Sequence, residues 1–179
     1  MKTAAICFLI LLCATACSRA VIDPRWQAPI MTTMEVEQLS VARLFELSRD
    51  WLASNLYSEK RVIEYENKAD GVLVVNGVMD YPATGLEAIA RIQYTISFRV
   101  QVKAAAGKIS LTFENIMIYV PKVYDRRAEI WLGREYFGGY SRPPVDADEY
   151  AAARKGVLAV ADRLWRYIGQ QKNAPERAR

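Results

Sequence analysis

The sequence predicts an α+β domain, an antiparallel sheet packed against two amphipathic helices. Three observations carry this. From Arg91 to Lys103 polar and apolar residues alternate without a break, the period of a strand with one dry and one wet face. Segments following Ser40 and Asp146 place apolar residues at helical spacing. Asp70-Gly71 stands between two β-rich runs, a hairpin signal.

Composition bounds the rest. The 179 residues suit one domain, and 52% apolar with 25% charged residues excludes disorder along the whole chain. Lys plus Arg number 24 against 20 Asp plus Glu, a net charge of +4, too small and too scattered to predict a nucleic-acid partner. There is no histidine. Ser-His-Asp and Cys-His catalysis and imidazole-based zinc sites are therefore excluded, and GxSxG, SxxK, GxGxxG and Walker A patterns do not occur either. Neither a cofactor nor a metal site is expected.

The N-terminus reads as an address. Residues 1–16, MKTAAICFLILLCATA, join a positive charge at Lys2 to an apolar run and then small residues. The run is shorter than the ~18 residues needed to span a bilayer, so it predicts a signal peptide. Ala14-Thr15-Ala16-Cys17 resembles the lipobox of bacterial lipoproteins, which implies acylation at Cys17; the same residues also satisfy the rule for ordinary signal peptidase, which would leave Cys17 as a free thiol. Either cut leaves Cys17 as the one cysteine of the mature chain, so no internal disulfide is expected. Residues 17–27 are expected to tether a single domain spanning residues 28–172, and residues 173–179 form a polar tail.

Within the domain, Ala28 to Val36 reads as a first strand. Ser40 is a suitable N-cap for a helix to about Leu56, with Val41, Leu44, Phe45, Ser48, Trp51, Leu52, Asn55 and Leu56 on one stripe. Arg61 to Glu66 and Val72 to Asp80 are strands joined at Lys68-Ala69-Asp70-Gly71. On the long strand Ile92, Tyr94, Ile96, Phe98, Val100 and Val102 face the core. The next strand begins Ile109, Leu111, Phe113 and then slips by one to Ile116, Ile118 and Val120, which predicts a β-bulge at Glu114–Asn115. Residues 122–145 read as an irregular excursion rich in aromatic residues and arginine. The last helix opens at Asp146 with Glu149 in a capping-box position, and Tyr150, Val157, Leu158, Ala161, Leu164, Trp165 and Ile168 form its apolar stripe.

Particular residues give this order a family likeness. Trp51-Leu52 with Asn55, Val62-Ile63, the Lys68–Gly71 turn, Tyr94-Thr95-Ile96, Phe113 and Asn115 resemble the bacterial family called domain of unknown function 4468, over about Glu35 to Tyr119. The resemblance implies a TBP-like fold, a curved antiparallel sheet with both helices on one face in the order strand, helix, strands, helix. Many members look exported or lipid-anchored. No activity is assigned to the family, so the resemblance implies no catalytic residues.

Two surfaces are candidates for binding. The wet strand face carries Arg91, Gln93, Thr95, Ser97, Arg99, Gln101 and Lys103, with Ser110 and Thr112 beside it. The excursion interleaves Arg126, Arg127, Arg134 and Arg142 with Tyr124, Trp131, Tyr136, Phe137 and Tyr140, residue types that concentrate at binding hot spots. From these the predicted binding surface is Arg91, Arg99, Trp131, Arg134 and Tyr136. A solvated sheet face and an excursion packed on its own domain are the plainer explanations. Glu64 and Glu66, two apart on a strand, would lie on one face about 6–7 Å apart, a spacing compatible with a hydrolase pair.

The expected function is a lipid-anchored bacterial envelope protein, a non-catalytic binding or interaction module. A carboxylate-dependent hydrolase of an envelope glycan and a structural or assembly subunit are the alternatives. The expected partners are the membrane, through the N-terminal lipid, and an envelope protein or glycan. Ser18 after the cysteine favours the outer membrane, facing the periplasm, by comparison with known lipoproteins.

Overall fold

A computed structural model describes residues 23–57, 62–85, 91–121 and 139–172. The elements in chain order are a 3-10 turn at Pro24–Gln27, strand β1 (Ile30–Glu35), helix α1 (Val41–Asn55), strands β2 (Ile63–Asn67), β3 (Val72–Asp80), β4 (Thr95–Ala105), β5 (Lys108–Val120) and β6 (Tyr140–Arg142), and helix α2 (Ala147–Lys172). The strands form one antiparallel sheet in the order β1-β5-β4-β3-β2, and β6 also pairs with β5, beyond the end of β1. The fold is the expected α+β arrangement, with α1 over β3 and β4 and α2 against α1, β1 and β5.

Local chemistry accounts for most boundaries. Ser40 caps α1, its hydroxyl accepting the Arg43 N–H at 3.2 Å. Helix α1 buries Leu44, Phe45, Leu47, Ser48, Trp51 and Leu52; Ser48 satisfies its hydroxyl by donating to the Leu44 carbonyl at 2.7 Å. Asn55, expected on the core stripe, is exposed and donates back to the Trp51 carbonyl. The β2–β3 hairpin turns at Lys68–Gly71, where the Asp70 N–H donates to the Asn67 side chain. Lys68 and Glu66 then tie this hairpin to Glu46 and Arg49 of α1.

The bulge is present. Ser97 pairs with Met117 and Arg99 with Glu114, so Asn115 and Ile116 together oppose Phe98. Asn115 takes φ +51°, a left-handed conformation that Asn tolerates better than other side-chain-bearing residues. The extra residue returns Ile118 and Val120 to the core face, beside Ile109, Leu111 and Phe113.

Four expectations need correction. Strand β4 begins at Thr95 and not at Arg91: β3 ends at Asp80, paired with Thr95, and Pro82 supplies no donor to continue the ladder. Ile92, expected in the core, is 80% exposed. The final residues of the expected tether form the 3-10 turn, capped by the Asp23 carboxylate accepting the Arg25 N–H. Tyr140–Arg142, read as irregular, is strand β6. The signal peptide, residues 122–138 and the tail from Asn173 onward lie outside the described residues.

The core lies between the sheet and the helices. Phe98 and Phe113 meet edge to face at 5.7 Å between ring centres. Phe98 fits because Gly77 on β3 leaves it room; a Cβ at Gly77 would come within 2.7 Å of the Phe98 ring and 3.1 Å of Leu56. Gly77→Ala should therefore destabilise the fold by about 1–3 kcal/mol through overpacking, and Phe98→Leu in the same chain should recover part of the loss. Urea unfolding of the two single variants and the double variant measures this. Gly156 in α2 follows the same logic, since a Cβ there would run into the Met79 methyl.

Candidate functional site

With both helices on one side, the opposite face of the sheet is built by alternate residues of β1 to β5. Register aligns Met31, Thr112, Gln101, Val74 and Tyr65 across the strands in one row, and Thr33, Ser110, Lys103 and Val72 in the next. A third row carries Glu114, Arg99 and Asn76. Neighbouring strands stand about 4.8 Å apart, so Thr33, Ser110, Thr112, Gln101, Lys103, Glu114, Arg99 and Asn76 form a lawn of hydroxyl, amide and charged groups, flanked by Met31 on β1 and by Val72, Val74 and Tyr65 on β3 and β2. Thr33 and Ser110 hydroxyls are hydrogen-bonded at 3.2 Å. Gln101 and Lys103 are exposed, whereas Ser97, Arg99, Ser110 and Thr112 are half-buried.

Arg99 stands near the middle of this face. Its Nη2 donates to Glu64 Oε1 at 3.2 Å and its Nε lies 3.2 Å from Glu64 Oε2. The Nε is buried and has no well-aligned acceptor, so the Arg99–Glu64 pairing is not an ideal two-pronged fork.

Glu64 can reach Arg99 because β2 also carries a bulge. Ile63 pairs with Val75 and Tyr65 with Val74, so Glu64 and Tyr65 together oppose one residue. The phase flips there. Glu64 lies on the outer face, while Glu66, paired with the core residue Leu73, lies on the helix side and accepts from Arg49 at 2.7 Å. The two glutamates expected on one face are on opposite faces, each held by an arginine.

Arg91 belongs to a different site. It lies in the turn before β4, where Nη1 donates to the Tyr81 hydroxyl at 2.9 Å and to Glu149 Oε1 at 3.1 Å. Its guanidinium lies 5.0 Å from the Tyr81 ring centre and 5.7 Å from that of Tyr94, a cation–π arrangement. Arg142 of β6 grips the same carboxylate with both prongs, at 2.6 and 2.8 Å. Glu149 is only 3% exposed. Burial alone pushes its carboxyl up, but the Arg142 hydrogen bonds, the Val145 N–H and the charges of Arg142 and Arg91 outweigh it and hold the pKa below the usual carboxylate value. Arg142 is held correspondingly more firmly in its charged form, chiefly by the hydrogen bonds to Glu149.

The sequence signal for Glu149 was its capping position, and only half of that box forms. Asp146 accepts the Glu149 N–H at 2.7 Å, but the Glu149 carboxylate turns to Arg142, Arg91 and Val145. The cluster joins the turn before β4, β6 and the start of α2, an arrangement that locks structure.

Arg91 and Arg99, expected on one surface, are thus separated: Arg99 is on the outer face and Arg91 is engaged on the helix side. Trp131, Arg134, Tyr136 and Cys17 lie outside the described residues. Among the described residues no cluster of three Asp, Glu or Cys could hold a metal, and no helix is long and apolar enough to cross a membrane. A small cleft of about 190 Å³ lies at the β5 bulge, lined by Trp26, Gln27, Glu114, Asn115, Met117 and Pro143 among others, and it is smaller than the usual ~300 Å³ lower bound for ligand pockets.

Residues 31–119 match the model of a family described as a domain of unknown function, DUF4468, with TBP-like fold. The chain carries a domain of that family. A TBP-like protein from Parabacteroides distasonis, known from its crystal structure, is similar in fold, with a TM-score of 0.57 at 11% identity over 88% of this chain and all of that one. A DUF4468 family protein from Bacteroides ovatus aligns with a TM-score of 0.49 at 15% identity, over 90% of this chain and 95% of that one. No curated protein matches the chain. The DUF4468 domain thus spans β1 to the end of β5, leaving β6 and α2 beyond the matched stretch.

Proposed function

We propose that this DUF4468 protein is a bacterial envelope lipoprotein, acylated at Cys17 and held at the periplasmic side of the outer membrane. It acts as a non-catalytic interaction module whose partner, an envelope protein or glycan, docks on the outer sheet face around Arg99. The observation that supports this best is the build of that face. Three strands, β1, β5 and β4, present Thr33, Ser110, Lys103, Thr112 and Gln101 as a polar lawn opposite the helix-covered side. Such a face offers many hydrogen bonds and few deep pockets, which suits an extended partner better than a small substrate. The chain has no histidine, and Glu64 and Glu66 are divided between the two faces and occupied by arginines. Both facts favour binding over acid–base chemistry.

The test has two arms. Intact mass of the protein from its native membrane fraction should match residues 17–179 plus lipid; a bare chain of those residues would remove the anchor from the proposal. A photo-crosslinking residue at Gln101 should give a discrete adduct in cells that is lost on Lys103→Glu, with no adduct from the same probe at Lys155 on α2. Equal adducts at both positions, or none at Gln101, would remove the docking face.

A further inference from the structure

The structure assigns a use to the backbone edge that borders this face: β1 is an edge built to pair with β1 of a second copy, antiparallel, about a two-fold axis through Thr33.

The sheet has two long edges, β1 and β2. Natural edges are usually blunted by bulges, charges or proline. Edge β2 has a bulge at Glu64–Tyr65, carries two glutamates in five residues and is braced to α1 by the Glu66–Arg49 ion pair, with Lys68 of the following turn paired to Glu46. Edge β1, Ile-Met-Thr-Thr-Met-Glu, has an unbroken register with β5 and no charge before its last residue. Met31 on it is 73% exposed, and Thr33 and Glu35 are exposed too. Among the described residues nothing pairs with its outward side.

Hydrogen-bond parity selects the partner's register. The Val36 N–H donates to the Gly107 carbonyl. By the antiparallel alternation Ile30, Thr32 and Met34 also turn their backbone groups toward β5, and Met31, Thr33 and Glu35 turn theirs outward. A two-fold axis at Thr33 opposes Thr33 to its own copy and Met31 to Glu35, so all three outward residues pair with one another, in roughly six backbone hydrogen bonds.

The neighbouring registers are worse. An axis at Thr32 opposes Glu35 to Pro29, which has no N–H. An axis at Glu35 sets two carboxylates directly opposite, which is repulsive. An axis at Met34 requires Glu37, beyond the end of β1. The Thr33 register also gives a Thr–Thr cross-strand pair, a favourable one, and it keeps the helices of both copies on the same side of one continuous sheet.

Sedimentation velocity of the full chain in density-matched detergent should give twice the protomer mass at tens of micromolar. Thr33→Pro, which removes an outward N–H and no backbone bond to β5, losing there only the exposed hydroxyl contact with Ser110, should halve that mass while leaving the thermal unfolding midpoint close to the parent's. Thr33→Lys should do the same by charge repulsion across the axis, and serves if the proline variant folds poorly. Register is read by disulfide trapping. Opposed hydrogen-bonded residues have Cα atoms about 5.5 Å apart, within disulfide reach. Thr33→Cys alone should trap a homodimer in membranes under mild oxidation, and Met31→Cys should do so only when mixed with Glu35→Cys. The parent chain, with its native cysteines, is the blank. A monomeric parent overturns the proposal, and so does a dimer that survives both Thr33 variants or traps through Met31→Cys alone.

Discussion

Replacing Glu149 by alanine is expected to cost about 3 kcal/mol of folding stability, near the lower end of the penalty for removing one partner of a buried ion pair. The carboxylate is almost fully buried, but Arg142 and Arg91 each keep about a quarter of their side-chain exposure, so water relieves part of the orphaned charge. A domain of this kind has only about 5–15 kcal/mol in total, so the loss should be plain in urea titration. Glu149→Gln retains the shape and an acceptor oxygen and should cost about half as much. The pH dependence has a definite sign. The folded-state pKa of Glu149 is depressed, so its contribution is complete above the unfolded carboxyl value near 4.3 and is lost as pH falls through the lower folded value. The stability gap between the parent and Glu149→Gln should be full at pH 7 and should narrow at about pH 3. A gap that stays constant would mean that the glutamine variant suffers from packing and not from lost charge.

Two bulges show what was legible in the sequence and what was not. The bulge in β5 could be read because that strand buries apolar residues on both sides of the slip, so Phe113 and Ile118 register a change of phase. The bulge in β2 left no such trace. Its residues at the edge, Glu64, Tyr65 and Glu66, are all exposed, and a strand with no buried stripe has no phase to break. The expected carboxylate pair failed for that reason.

The alternation around Arg91 misled in the opposite way. Period two persists back through Ile92, but a strand needs a partner, and β3 runs out at Asp80. Freed from the ladder, Arg91 turns to Tyr81 and Glu149, and the second of these lies 58 positions along the chain. Contacts at such separations have no sequence signature in a single chain. Strand β6 was missed because three residues are too few to show a period. The covered core, the capped helices and the hairpin turn were legible because each rests on local chemistry or on a long repeat.

The hairpin turn supports the second large prediction, that Gly71→Ala should destabilise the protein by about 3 kcal/mol while Gly107→Ala costs only about 1 kcal/mol. The two glycines have nearly the same backbone, φ +65° and +68°, so each loses a similar amount when a side chain is forced into the left-handed region. Their surroundings differ completely. A Cβ at Gly107 meets nothing within 4 Å. At Gly71 it would lie 2.5 Å from the Ala104 carbonyl oxygen and 2.9 Å from Val41 Cγ1. The oxygen belongs to the backbone of β4, and the Ala104 N–H is bonded to the Gly71 carbonyl at 2.8 Å, so the clash cannot be relieved by a rotamer change. Relief requires the hairpin to lift from β4 and from the first turn of α1. Comparing the two variants by chemical denaturation cancels the backbone cost, leaving the price of close approach as the difference. Equal losses at the two sites would mean that the turn yields and that the contact between the hairpin and Ala104 is dispensable. The expected inequality identifies Gly71 as the point where the β2–β3 hairpin, β4 and α1 are drawn together, which is what places Glu64 within reach of Arg99.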